Sequence, residues 1–162
     1  MNKNFYITTP IYYPSAKPHM GHAYSSIIAD FFARFKTIDN YDVHFLTGTD
    51  EHGLKIQRSA EKAGQAPQVF CNNISKTFKE LSKTLNLSNT DFIRTTEDRH
   101  KKTVQHLWSE LEKNDDIYLS NYSGWYSVSD EAFYNEEEIE EIEGKKIAKS
   151  SKSTVEWIEE ES

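Results

Sequence analysis

His19 and His22 lie three residues apart at the head of a run with helical apolar spacing, with Met20 and Gly21 between them. Residues i and i+3 are neighbours on a helix's first turn, so both imidazoles share one side, and Gly21 leaves room for a flat base or ribose. A helix start also offers unpaired N–H groups and a partial positive charge. That is an anion site suited to a nucleoside triphosphate, with the histidines donating hydrogen bonds to phosphoryl oxygens as charge redistributes. Metal binding is the weaker alternative, because only two histidines are present and no acidic residue sits at ligand spacing. A second stretch, Thr-Gly-Thr-Asp-Glu-His-Gly at 47–53, carries Asp50, whose carboxylate could bind an ammonium group or cap the helix that follows.

The elements that hold these residues follow from periodicity. Phe5 to Thr9 alternates and meets Pro10, which predicts a short strand running into a loop. The loop's Ile11, Tyr12 and Tyr13 could line a small-molecule pocket or plug the underside of a sheet. From His19, the residues Met20, Ala23, Tyr24, Ile27, Ile28, Phe31, Phe32 and Phe35 predict an amphipathic helix to about Lys36. Val43 to Leu46 reads as a strand ending at the Asp50 stretch, followed by helices over Leu54–Ala63 and Val69–Leu87. Phe92 to Thr95 is a third strand, and Glu97 to Lys113 a helix turning Val104, Leu107, Trp108 and Leu111 inward. Strand alternating with helix implies α/β architecture with a parallel sheet, whose ligands collect at the carboxyl ends of the strands. Asp50 and the two histidines fall at that end.

Beyond about residue 115 the texture changes. Ile117 to Val128 is aromatic and β-prone with a turn signal at Asn121–Gly124, Glu136 to Glu143 is a charge-dense helical turn, and Lys145 to Ile158 looks like a further hairpin. The doubly wound pattern thus runs over residues 1–115, and 116–162 read as a small β-rich antiparallel module, inserted or appended.

A chain of 162 residues with 13% aromatics can build a real core that leans on Phe, Tyr and Trp. It shows no signal-peptide pattern and no apolar run of the ~20 residues a membrane span needs, so the cytosol is the expected compartment and no membrane partner is expected. The single cysteine, Cys71, rules out an intrachain disulfide and a multi-cysteine zinc site, and reads as a buried thiol on a helix. A net charge of −7 argues against a surface broadly built for nucleic acid, although Arg94, Arg99, His100, Lys101 and Lys102 form a local basic cluster.

These blocks resemble the class I aminoacyl-tRNA synthetases, and specifically the methionyl-tRNA synthetases. His19-Met20-Gly21-His22 is similar to the class I HIGH signature. Phe-Tyr-Ile-Thr-Thr-Pro-Ile-Tyr-Tyr at 5–13, the 47–53 block, and Phe-Ile-Arg-Thr-Thr-Glu-Asp-Arg-His at 92–100 match the methionine-specific branch. A lone HxGH would leave nucleotidylyltransferases open. The resemblance implies the first half of a Rossmann-like catalytic domain, with His19 and His22 catalytic and His19, Gly21 and His22 holding ATP. It places Ile11 and Tyr13 at the methionine side chain and Asp50 near the amino group. It also implies Mg²⁺ on the ATP phosphates and tRNA(Met) as acceptor of the activated methionine.

Two departures stand out. Many relatives carry a zinc knuckle, but Ser127 and Asp130 occupy positions where its cysteines would sit, so no structural zinc is expected. The second half of the nucleotide fold, its KMSKS loop and the anticodon-binding domain have no counterpart in these 162 residues. Lys149-Ser-Ser-Lys-Ser153 imitates KMSKS but lies inside the small module, where a solvated turn accounts for it. The expectation is an amino-terminal fragment, inactive without a carboxyl-terminal half. A truncated, non-catalytic binding module is the alternative.

Overall fold

Residues Lys3–Thr8 (β1), Tyr41–Thr49 (β2) and Asp91–Arg94 (β3) form a parallel sheet in the order β1-β2-β3. They belong to a computed structural model that describes residues 3–142 and 144–161. The register runs from Lys3 opposite Tyr41 to Thr8 opposite Leu46, and from Leu46 opposite Asp91 to Thr49 opposite Arg94. The crossovers are α1 (Met20–Ile38) and the pair α2 (Leu54–Lys62) and α3 (Pro67–Thr84), while α4 (Asp98–Lys113) follows β3. No helix among the described residues is long and apolar enough to cross a membrane. The chain divides into two compact units, one up to Val104 and one from Gln105 onward.

In the first unit α1 and α3 cover the same face of the sheet. Phe45 of β2 is fully buried against Ala29 and Ala33 of α1, with Ile7 and Val43 beside it. Four residues along the same strand, and so on the same face, Thr49 bonds Ser75 of α3 at 3.1 Å. Burying Phe45 in full is worth ~1.5–3 kcal/mol. The opposite face carries Tyr6, 60% exposed, and His44, which stacks on it at 5.4 Å.

The helical periodicity located α1 from its large apolar residues, and the side that packs on the sheet is built of small ones. Its buried residues are Ala23, Ser26, Ala29 and Ala33, whereas Met20, Tyr24, Phe31 and Phe35 are 82, 69, 64 and 52% exposed. Small residues let the helix lie close on the sheet, and the aromatic stripe is left facing away from it. Helix α4 departs from the expected inward packing: none of its residues is buried, and Val104, Leu107 and Trp108 are exposed.

The second unit centres on β4 (Asn121–Ser127), antiparallel to β5 (Ala132–Tyr134) and to β8 (Glu156–Glu161). A hairpin of β6 (Ile139–Ile142) and β7 (Lys145–Ala148) adds a core of Ile139, Ala148 and Val155, against which Trp125 and Tyr134 pack. Three expectations change here. Asn121–Gly124 is continuous strand rather than a turn, because these residues pair in register with Glu161 to Ile158 of β8. The acidic helical turn shrinks to a 3-10 turn at Glu136–Glu138, after which Ile139 pairs with Ala148; Glu143 lies outside the described residues. Lys145–Ile158 is not one hairpin, since β7 pairs with β6 and β8 with β4, and only the Ile147–Thr154 bridge joins the two arms.

Candidate active site

His19 is the last extended residue before α1 and caps it. Its Nδ1 accepts the Gly21 N–H at 3.0 Å, and its own N–H donates to Nδ1 of His22 at 3.0 Å. Two imidazoles thus perform the reciprocal cap that Ser and Glu perform elsewhere. Because each Nδ1 is an acceptor, the proton of each neutral ring sits on Nε2. The ring centroids are 3.9 Å apart. Burial, and then the charge of His19, lower the pKa of His22, so it stays neutral and keeps its Nε2–H as a donor at neutral pH. The pair presents donors beside a helix N-terminus, where the dipole favours an anion.

Gly21 is needed for this arrangement. A Cβ at that position would stand 2.9 Å from Cε1 of His19 and push the ring out of its cap.

The loop after β1 runs back along the end of β2. Tyr12 N–H donates to the Gly48 carbonyl at 3.0 Å, and Asp50 N–H donates to the Tyr12 carbonyl at 2.8 Å, a parallel bridge centred on Tyr12 and Thr49. Tyr12 is the plug: 5% exposed, it stacks on Phe78 at 5.3 Å, meets the edge of His22 at 5.0 Å and bonds Ser26 at 2.5 Å. One residue therefore fixes both the histidine pair and Asp50. Its neighbours alternate to the other side of the extended segment. Ile11, 49% exposed, lines a cavity of about 190 Å³ with Thr8, Leu46, Gly48 and Ile93. Tyr13 OH donates to the His52 carbonyl at 2.6 Å. Gly53, at φ 103°, turns the chain under that hydroxyl where a side chain would collide with it.

Asp50 does not cap α2: the cap residue is Gly53, with no side-chain bond. The Asp50 carboxylate instead receives the Thr95 hydroxyl at 3.3 Å. Beneath it, Glu51 is buried and gathers Arg94 Nε at 2.6 Å, Arg94 Nη2 at 2.8 Å, Thr96 at 2.6 Å and Thr49 at 2.8 Å. Burial alone would raise the pKa of Glu51, but these donors and the Arg94 charge outweigh it and hold the carboxyl below its usual range. Nothing local in the sequence marks Glu51, Arg94, Thr95 and Thr96 as a unit, since only the strand register sets Thr49 opposite Arg94. Cys71 is buried 3.8 Å from the Glu51 carbonyl, and burial followed by the Glu51 charge raises its thiol pKa.

Two of the five members of the basic cluster, Arg94 and Arg99, are held in local pairs. Arg94 serves Glu51 and Asn72, and Arg99 binds Asp91 and Glu97. In the second unit, Ser127 bonds Ser153, and Asp130 accepts from Tyr134 at 2.8 Å, from Ser151 at 2.5 Å and from Ser153. The KSSKS segment supplies both of those serines, and Lys149 and Lys152 reach the Glu137 carbonyl and the Glu140 carboxylate. No group of three or more His, Cys, Asp or Glu among the described residues could hold a metal ion.

Known proteins are similar to this chain over nearly its whole length. Methionine--tRNA ligase 1 of Bacillus cereus is 51% identical over 99% of the chain, which spans 25% of that relative. The mitochondrial methionine--tRNA ligase of Takifugu rubripes is 50% identical over 99%, spanning 28%. A crystal structure of Mycobacterium tuberculosis methionyl-tRNA synthetase bound by methionyl-adenylate superposes with a TM-score of 0.93 at 46% identity, covering 99% of this chain and 32% of that one. The chain thus spans a quarter to a third of the relatives it matches. The profile of the tRNA synthetases class I (M) aligns with residues 5–158, so the histidine-capped helix and the strand ends around it lie inside that match, and the chain belongs to this family.

Proposed function

We propose that the protein carrying this chain activates methionine with ATP and transfers it to tRNA(Met). A methionine carboxylate oxygen attacks the α-phosphorus, the bond to the β-phosphate oxygen breaks, and methionyl-adenylate and pyrophosphate result. The adenylate's acyl group then passes to the terminal adenosine of the tRNA, releasing AMP. The observation that carries this reading is the pair of Nε2–H donors locked side by side at the start of α1, in a family with a relative solved with methionyl-adenylate.

His19 and His22 would donate to the phosphoryl oxygens as negative charge shifts towards pyrophosphate, and Gly21 would admit the nucleotide close to the helix. Ile11 and Tyr13 would face the methionine side chain and Asp50 its ammonium. Mg²⁺ would ride on the ATP phosphates, where its charge offsets theirs. The chain spans 25% and 28% of two ligases it resembles, which supports the reading that turnover calls on more of the protein than these residues.

Exchange of labelled pyrophosphate into ATP by the full-length protein tests the proposal. Exchange should depend on methionine, and His19→Ala or His22→Ala should each lower its rate about 10²- to 10³-fold. Exchange driven by a different amino acid would overturn the specificity, and histidine variants of undiminished rate would overturn the assigned roles.

A further inference from the structure

We infer that Thr95 is a positioning residue for amino-acid recognition, acting through Asp50; the inference rests on the function proposed above. Thr95 is 7% exposed and lies just beyond β3, where its N–H donates to the Thr49 carbonyl at 3.1 Å and so continues the β2–β3 pairing. Its hydroxyl oxygen accepts the buried Glu51 N–H at 2.8 Å. A hydroxyl has one proton, and here a neighbouring carboxylate is the acceptor, so that proton points to Asp50 Oδ1 at 3.3 Å. The Thr95 carbonyl completes the group, 3.3 Å from Nε2 of His52.

The support beneath is stiff. Arg94 and Thr96, on either side of Thr95, both end on the Glu51 carboxylate. The consecutive residues Arg94, Thr95 and Thr96 thereby clamp the consecutive residues Asp50 and Glu51. Of these contacts, only the Thr95 hydroxyl reaches the Asp50 carboxylate. It occupies one lone pair of Oδ1 and sets the plane in which the remaining lone pairs meet an ammonium group. A carboxylate held in this way binds a cation without first paying to order itself.

The test compares Thr95→Val, Thr95→Cys and Thr95→Ser in the full-length protein by methionine-dependent pyrophosphate exchange. Inhibition by the carboxylic acid analogue of methionine that lacks the amino group is measured alongside. Thr95→Val should raise the KM for methionine roughly tenfold to a hundredfold, the effect of a lost hydrogen bond to a charged group. The KM for ATP and the inhibition constant of the des-amino analogue should stay as in the unsubstituted protein. Thr95→Ser should restore the methionine KM, and Thr95→Cys, a weaker donor, should fall between. That graded order serves equally well if the valine variant fails to fold. A parallel rise in all three constants would make Thr95 merely structural, and an unchanged methionine KM in the cysteine or valine variant would overturn the inference while leaving the proposed function standing. Absence of methionine-dependent exchange in the unsubstituted protein would overturn the proposed function itself, and the role of Thr95 with it.

Discussion

Replacing Arg94 with methionine should convert a supporting ion pair into a buried unpaired carboxylate. The Glu51 side chain is fully buried and that of Arg94 is 18% exposed, so water cannot substitute for the lost cation. Breaking a buried pair from one side costs ~3–5 kcal/mol. Glu51 would keep the Thr96 and Thr49 hydroxyls and lose both Arg94 bonds, which places the expected loss near the lower bound, about 3 kcal/mol. The pH dependence gives a sharper test than the magnitude. In the native protein the folded pKa of Glu51 is depressed, so its contribution is present above the unfolded value of about 4.3 and is lost as pH falls through the lower folded value. Without Arg94, burial raises the folded pKa above 4.3, and this group then costs stability as pH rises through that range. Chemical denaturation of the full-length protein and Arg94→Met from acid to neutral pH should show opposite slopes attributable to this site. Adding Glu51→Gln to Arg94→Met should remove the new slope. A loss under about 1 kcal/mol, or a slope of unchanged sign, would refute the view that Glu51 depends on Arg94.

Two further outcomes follow from the geometry. Gly21→Ala should lower pyrophosphate exchange, because the added methyl meets His19 Cε1 at 2.9 Å; the gain in helix propensity, about 1 kcal/mol, offsets the weakened cap, so a melting temperature close to the unsubstituted value with diminished exchange is the expected pair of readings. Asp130, held down to about pKa 2 by Ser151, Ser153 and Tyr134, should contribute stability that is present above its unfolded pKa of about 3.9 and lost as pH falls towards 2. Asp130→Asn should flatten that acid limb of the denaturation profile, and an unaltered limb would show that the serine cluster does not hold the second unit together.

The sequence determined a good deal by itself. Local rules placed β1, α1, β2, α2, α3 and β3 to within a few residues, because each pattern is written in consecutive side chains and in the Pro and Gly that punctuate them. The His19-x-Gly-His22 signal is equally local, since one helical turn is enough to set both rings beside each other. Tertiary structure decided what depends on partners distant in the chain. Apolar periodicity marked α1 as amphipathic without fixing which side packs inward; close packing on a sheet selected Ala29 and Ala33, a choice that depends on where Phe45 lies. Acidic composition masked a strand at Ile139–Ile142 until Ala148 arrived opposite Ile139 to form a core. Asp50 reads as a helix cap or a ligand in isolation; the β2–β3 register brings Thr95 to its carboxylate and Arg94 to Glu51 beneath it. Hydrogen-bonded neighbours more than forty residues apart in sequence leave no periodic trace, so the clamp behind the site exists only once the sheet has formed.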